Sequence, residues 1–398
     1  MNRLSICLVS AAYYPYPSGV SEHVHHLGVA LKELGHDVHV LTTRYAGTWG
    51  DAVELLPVTR FGDARLIPLN GSFATLPVGA RLSSEVRDFM RSSEFDIVHC
   101  HGMFWPEISY WALRYSRSAN FVSLLTAGFR ISRLGGGTFR RLFRPLLSRI
   151  DGLIPISKRA RDAFAAYVPG DYRIIPCGVD LERFRRDLEP LPDRDSSRPV
   201  ILFMGRLDRR KGIKVLLQAM PEVLRAVPNA RLIVAGSGPE ESAARCLVTK
   251  LGLSESVRFV GRVRREDVPR LYCGCKAFCA PSLGGETLGI VLLEAMASGA
   301  PTVASDIPGY DETVRHERDA LLVPPGNPMA LADALVRVLQ DTELRCRIVE
   351  SGLERVREYE WTNIACRTAS YYEEVLSRAA VTTRQSTRRR SGRIPWQG

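Results

Sequence analysis

The sequence predicts an α/β protein of two Rossmann-like, doubly wound domains, and three observations carry that reading. Short apolar runs of strand length end in glycine or small polar residues and lead into helical patterns, and this alternation runs twice along the chain. A segment rich in charge and proline, 181–199, separates the two series. The 398 residues also exceed what one ordinary core fills.

The elements follow in order. Residues 4–10, Leu-Ser-Ile-Cys-Leu-Val-Ser, read as a buried strand. A loop through Tyr16-Pro-Ser-Gly19-Val20 leads to a helix over 21–34, with Ser21 as N-cap and Gly35 at C′. Residues 38–42 form the next strand, so the order is strand, glycine loop, helix, strand. Asp96-Ile-Val-His-Cys-His101-Gly102, 121–126 and 152–157 are further strands, and Ser157 caps a helix over 158–167. Residues 174–180 close the first half. The second series opens with Val200-Ile-Leu-Phe-Met-Gly205-Arg206 and a helix over 212–226. Strands at 231–236, 257–261, 277–280 and 301–305 alternate with helical patterns, and 361–376 is a last helix. The division is therefore a first domain 1–180, a linker 181–199, a second domain 200–360, a helix 361–380 and a tail 381–398.

Composition narrows the class. Hydrophobic residues at 45% and charged residues at 24% are those of a soluble globular protein. No run approaches ~20 apolar residues, which argues against a transmembrane helix, and the N-terminus reads as a strand rather than a signal peptide. The nine cysteines form no framework, which points to a reducing cytoplasm. Cys273, Cys275 and Cys279 cluster without a second pair or a nearby histidine, so no zinc site and no metal is expected. Five of the +11 net charges are Arg384, Arg388, Arg389, Arg390 and Arg393, in a tail from Val381 onward that has no acid. That tail reads as disordered, and is solvated or drawn to an anionic membrane surface or to nucleic acid. No specific nucleic-acid partner is expected.

Two stretches carry chemistry. The first is Ser282-Leu-Gly-Gly-Glu286-Thr-Leu-Gly-Ile-Val-Leu-Leu-Glu294-Ala-Met-Ala-Ser-Gly299. Two acids in so apolar a segment need a reason, because an unpaired buried carboxylate is costly. A loop followed by a helix from about Leu288 or Gly289, ended by Gly299 at C′, supplies one. Loop glycines let the backbone approach a ligand, and the helix N-terminus favours a diphosphate. Glu286 would accept hydrogen bonds from sugar hydroxyls. Glu294 follows roughly 8–12 Å on at ~1.5 Å rise per residue, the reach from a hexose past a diphosphate to a ribose. A core helix whose acids cap it and form a salt bridge explains the same spacing. The second stretch is Gly205-Arg206-Leu-Asp-Arg-Arg-Lys211-Gly212, a strand-end turn with cations aimed into the crevice. Arg206 and Lys211 would neutralise a departing diphosphate. Arg209 and Arg210 stand beside Lys211, and an exposed basic turn is the alternative.

Glu286 and Glu294, with Gly289 between them, resemble the Glu-x7-Glu motif of the retaining GT-B glycosyltransferases of family 4. The likeness runs from about Ile6 to about Tyr372, and it is similar in particular to phosphatidylinositol mannosyltransferases and related glycolipid and polysaccharide enzymes. It implies the GT-B fold, two Rossmann-like domains facing across a cleft, with the 361–376 helix crossing back onto the first domain. It implies a nucleoside diphosphate sugar as substrate, with no cofactor. Transfer of a mannose- or glucose-type hexose to a glycolipid, polysaccharide or small-molecule acceptor would be metal-independent. Arg206, Lys211 and Glu286 match the family's catalytic positions. Gly19, Gly205, Val263, Thr287, Leu288, Gly289 and Glu294 join them in holding the donor, Val263 beside the base. The resemblance leaves room for a GT-B sugar-nucleotide epimerase or a catalytically silent partner.

One position departs from the family. Relatives end a first-domain strand in a histidine followed by glycine that reaches the donor sugar. Aligning Gly128 with that glycine puts Ala127 in the histidine's place. Alanine makes no hydrogen bond, so His101, at another strand end, is the candidate sugar or acceptor contact; a structural histidine is the alternative. Residues 139–150, Phe-Arg-Arg-Leu-Phe-Arg-Pro-Leu-Leu-Ser-Arg-Ile, are basic and amphipathic. They fit an anionic membrane face or a helix packed on the first sheet equally well. The implied location is cytoplasmic and peripheral to the inner face of the membrane.

Overall fold

The computed structural model describes residues 2–16, 18–45, 55–69, 72–102, 107–126, 141, 144–165, 167–168, 170–191 and 198–391. Ala127, Gly128 and residues 139, 140, 142 and 143 lie outside them. Contacts divide the chain into two compact units. One comprises Met1–Ile156, Ala160–Ile175 and Trp361–Gly398, the other Ser157–Arg159 and Pro176–Glu360.

The first unit holds a seven-stranded sheet of β1 (Ser5–Val9), β2 (Asp37–Arg44), β3 (Val58–Leu69), β4 (Ser72–Val78), β5 (Ile97–Cys100), β6 (Ala119–Leu124) and β7 (Gly152–Pro155). Their order is β4-β3-β2-β1-β5-β6-β7, and all pair in parallel except β4 on β3. Ile6, Cys7, Leu8 and Val9 are fully buried, the continuous apolar signature of a central parallel strand covered on both faces. The chain winds outward from β1 in both directions, so the switch point of the sheet lies between β1 and β5.

The helix after β1 is Gly19–Glu33, and its N-cap is Ser18, not Ser21. Ser18 is extended, and its Oγ accepts from the Ser21 N–H at 3.1 Å. Ser21 sits one turn in, buried, with its hydroxyl 2.8 Å from that of Ser18. Two serines three apart offer the same capping chemistry, and the earlier one takes it. Leu34 ends the helix, and Gly35 follows at φ 93° as a C′ glycine.

The long helix Trp361–Ser391 belongs to this unit. Its Ile364, Ala369, Tyr371 and Tyr372 share one core with Leu27, Leu31 and Phe121. The helix overruns the tail expected to be disordered from Val381. No glycine or proline interrupts 377–391, and Gly392 is the first residue to break the pattern.

The second unit holds six parallel strands: β8 (Val200–Met204), β9 (Arg231–Ala235), β10 (Val257–Gly261), β11 (Ala277–Ala280), β12 (Thr302–Ser305) and β13 (Leu321–Val323). The order β10-β9-β8-β11-β12-β13 puts the switch point between β8 and β11. Its core runs from Ile201, Phe203 and Leu232 to Leu217, Met220 and Leu335 on the covering helices. Residues 176–180 lie in this unit, where the Val179 N–H donates to the Tyr359 carbonyl at 2.8 Å.

Candidate functional site

In the second unit the two motif stretches meet at the switch point. After β8 the chain turns at Gly205 (φ 154°) and passes Arg206, which is half-buried. Asp208 then caps a short 3₁₀ turn, Arg209–Lys211, by accepting from the Lys211 N–H at 3.1 Å. Gly212 follows at φ 71° and opens the helix Ile213–Ala226. A Cβ on Gly212 would stand 1.9 Å from the carbonyl oxygen of Pro281, so only glycine fits. The Leu283 N–H donates to the Arg210 carbonyl at 2.7 Å. The loops after β8 and β11 are thus pressed backbone to backbone.

This contact sets the charges. Glu286 is only 7% exposed. Its Oε1 accepts from Arg210 Nη1 at 2.8 Å and Ser282 Oγ at 3.2 Å, and lies 2.9 Å from Lys211 Nζ. Among the described residues Oε2 has no hydrogen-bond donor. Arg210 also donates to the Gly285 carbonyl at 3.1 Å. The Ser282 hydroxyl lies 3.0 Å from that of buried Tyr310, whose acidity is suppressed by burial first and by the Glu286 charge second. Of the basic residues in this turn, Lys211 and Arg210 both reach Glu286.

The helix after the motif begins at Ile290, with Gly289 as N-cap at φ 82°, and runs to Ala297. A Cβ on Gly289 would meet the Tyr310 ring at 2.5 Å. Gly299, at φ 68°, stands at C′. Glu294 is half-buried, and its Oε2 accepts from the Tyr272 hydroxyl at 3.0 Å. Tyr272 is fully buried on the helix Val268–Cys273, and burial, then the Glu294 charge, pushes its acidity down. Thr287 is half-buried and Leu288 buried. Val263, half-buried, follows Gly261 in the loop after β10. Arg210, Ser282, Tyr272 and Tyr310 are the participants sequence reasoning passed over. Arg210 was visible as a neighbour of Lys211, and Ser282 as the first residue of the Glu286 stretch; Tyr272 and Tyr310 stand outside any motif.

The first unit places Gly19 and His101 near its own switch point. Gly19 is the first residue of its helix, and a Cβ there would touch nothing described within 4 Å. His101 follows β5 and is 5% exposed, its N–H bonded to the Val9 carbonyl at 2.8 Å. Neither of its ring nitrogens has a hydrogen-bond partner among the described residues, and the same holds for His23. The His101 ring centroid lies 4.4 Å from that of His99 and 5.3 Å from that of His23. His99 is satisfied, with Tyr372 Oη at 2.6 Å from Nδ1 and Ser123 Oγ at 2.8 Å from Nε2. Burial lowers the imidazoles of His23 and His99 to about 4 and about 3, and that of His101 well below the usual range. Burial also raises the Glu107 carboxyl to about 8.

Comparison with known proteins places these features in context. Residues 17–183 match the family model of Glycosyltransferase Family 4, and residues 185–355 that of Glycosyl transferases group 1. The chain is 34% identical to a phosphatidyl-myo-inositol mannosyltransferase of Mycobacterium leprae, over 94% of this chain and 97% of that one. It is 30% identical to a GDP-mannose-dependent alpha-(1-6)-phosphatidylinositol monomannoside mannosyltransferase of Mycobacterium tuberculosis, over 92% and 97%. Among solved structures it resembles a sucrose-phosphate synthase of Thermosynechococcus elongatus, with a TM-score of 0.73, 25% identity and coverage of 94% and 100%. A glycosyltransferase of Rickettsia africae shares the fold with a TM-score of 0.74 at 18% identity, covering 94% and 99%.

The buried histidines make a pH prediction. Their folded values lie below the ordinary ~6.5, so below that pH the unfolded chain takes up protons first, and stability present above it is lost toward pH 4. Glu107 acts oppositely, since its raised value makes the folded state the better proton binder between about 4.5 and 8. Three histidines against one carboxyl leave about two protons, or at most ~3 kcal/mol per pH unit between 6.5 and 4.5. Urea unfolding at pH 7 and pH 5 should show a clear fall in the midpoint of the first unit; an unchanged midpoint contradicts the neutral cluster.

Proposed function

The chain belongs to glycosyltransferase family 4, and from that membership we propose that it moves mannose from a nucleoside diphosphate sugar to a phosphatidylinositol-type glycolipid acceptor, retaining the anomeric configuration. One observation carries the reading. The Glu286 carboxylate is clamped at a sheet switch point by Arg210 and Lys211. The chain around it is 34% identical to a phosphatidyl-myo-inositol mannosyltransferase. The second relative, a GDP-mannose-dependent mannosyltransferase, favours GDP-mannose as donor.

In this reading Glu286 holds the hexose through Oε2, Glu294 the ribose, and Arg206 and Lys211 the diphosphate. Gly205, Val263, Thr287, Leu288 and Gly289 line the nucleotide. The bond from the anomeric carbon to the leaving phosphate breaks, and the acceptor oxygen bonds that carbon on the same face. The acceptor proton passes to the departing phosphate oxygen, giving a nucleoside diphosphate. The cations stabilise the charge that builds on the leaving group without a metal. Arg206→Ala should lower turnover by about a hundredfold or more; near-normal kinetics in a mannosyl-transfer assay would remove the assignment.

His101 is proposed to act in the first unit, where Ala127 replaces the family's histidine. The two unpartnered ring nitrogens motivate this. His101→Ala should cost at least tenfold in kcat/KM in a folded preparation, and an unchanged value would rule His101 out. The departure at Ala127 also favours a second reading, a silent partner protein, which complete absence of transfer by the wild type would support.

We place the protein peripherally on an anionic membrane, cytoplasmic side. No helix of the described residues is long and apolar enough to cross a membrane. The +11 charge and the basic 139–150 segment support surface attraction. Flotation with anionic liposomes at low salt should carry the protein upward and high salt should release it; failure to float at low salt favours a soluble acceptor.

A further inference from the structure

Lys211 has two demands on it if the proposed function holds, and that conflict points to Arg210. Its ammonium sits 2.9 Å from Glu286 Oε1 and is 17% exposed, so in this state it is the carboxylate's counter-ion. The functional reading also assigns it to the donor diphosphate. A carboxylate as buried as Glu286 cannot lose its cation cheaply, since removing one partner of a buried pair strands the other charge.

Arg210 answers this. Its Nη1 is 2.8 Å from the same Oε1, and it also donates to the Gly285 carbonyl at 3.1 Å. Asp208 Oδ2 lies 3.9 Å from Nη2. Its own carbonyl accepts from Leu283. The neighbouring backbone is shaped around it: Gly285 stands at φ 75°, and a Cβ there would strike Arg210 Cδ at 2.6 Å. Arg210 is held at both ends, by the loop backbone and by the glycine over which it lies.

We propose that Arg210 is the standing counter-ion and positioning residue of Glu286, which leaves Lys211 transferable to the donor diphosphate. This rests on the nucleotide-sugar reading of the site. When a diphosphate draws Lys211 away, Arg210 and Ser282 keep Oε1 occupied, and Oε2 keeps its direction. One nitrogen of the guanidinium, Nη1, carries two N–H groups and serves the carboxylate and the Gly285 carbonyl at once.

The test is a cycle with GDP and, in parallel, UDP, read by titration calorimetry and by kcat and KM with the corresponding mannose or glucose donor. Arg210→Ala should weaken binding of the preferred nucleotide at least tenfold, because Lys211 is then tied to Glu286. Arg210→Lys should restore most of it. Glu286→Gln, which needs no counter-ion, should bind the nucleotide at least as well as wild type. Adding Arg210→Ala to Glu286→Gln should then change affinity by less than threefold. Wild-type affinity and turnover in Arg210→Ala overturn the proposal. So does an equal loss in the Glu286→Gln background, which would make Arg210 a phosphate contact or a purely structural residue. A wild-type protein that binds neither nucleotide overturns the functional reading and this inference with it, whereas normal wild-type transfer with unchanged affinity and turnover in Arg210→Ala removes this inference alone.

Discussion

The second unit depends on how closely two loops can approach. Gly212 faces the Pro281 carbonyl, with room for no side chain, and the Leu283 amide reaches the Arg210 carbonyl. The same constraint recurs one strand over, where a Cβ on Gly236 would lie 1.9 Å from the Gly205 carbonyl oxygen. With backbones at contact distance, side chains from one loop arrive at acids on the other without long reach. That is why a carboxylate can sit nearly out of water here: its desolvation is offset by two cations and a hydroxyl, all on one oxygen.

The first unit uses its switch point differently. Its charges are withheld. Three imidazoles cluster between the Gly19–Glu33 helix, β5 and the Trp361–Ser391 helix, and burial keeps them neutral. His99 is satisfied by Tyr372 from the last helix, so a residue 273 positions away in sequence completes the polar lining of this core. His101 and His23 are not satisfied among the described residues. Orphaned buried polar groups cost roughly 1–3 kcal/mol each, a cost that sequences keep where the group has another use. Neutral imidazoles accept as well as donate, which suits an acceptor hydroxyl better than a fixed charge would.

Much of this was legible in the sequence, for reasons that can be named. Central parallel strands announce themselves because both faces are covered, so β1, β8 and β9 read as unbroken apolar runs. The glycine turns at 205, 212, 289 and 299 carry their own backbone meaning. The β3–β4 hairpin was missed because β3, next to the edge strand β4, does not alternate cleanly: Val58–Leu69 carries Arg60, Asp63 and Arg65, with Gly62 and Pro68 breaking the pattern. Three-residue β13 is too short for any pattern. At the site, the acids and cations stood in motifs, whereas Tyr272 and Tyr310 reached them only through folding. A buried tyrosine in a helix looks like any core aromatic until its hydroxyl is traced to Glu294 or Ser282.

The two motif acids meet different partners. Glu286 is met by cations, and its Oε1 is saturated while Oε2 is left for a neutral hydroxyl. Glu294 accepts from the Tyr272 hydroxyl, a neutral donor that orients the carboxylate. A carboxylate so oriented would suit vicinal ribose hydroxyls, because charge-assisted hydrogen bonds are roughly twice as strong as neutral ones. Beside a diphosphate a buried carboxylate needs cations, since like charges at short range repel. Arg210 and Lys211 meet that need at Glu286, the acid that the functional reading sets next to the phosphates.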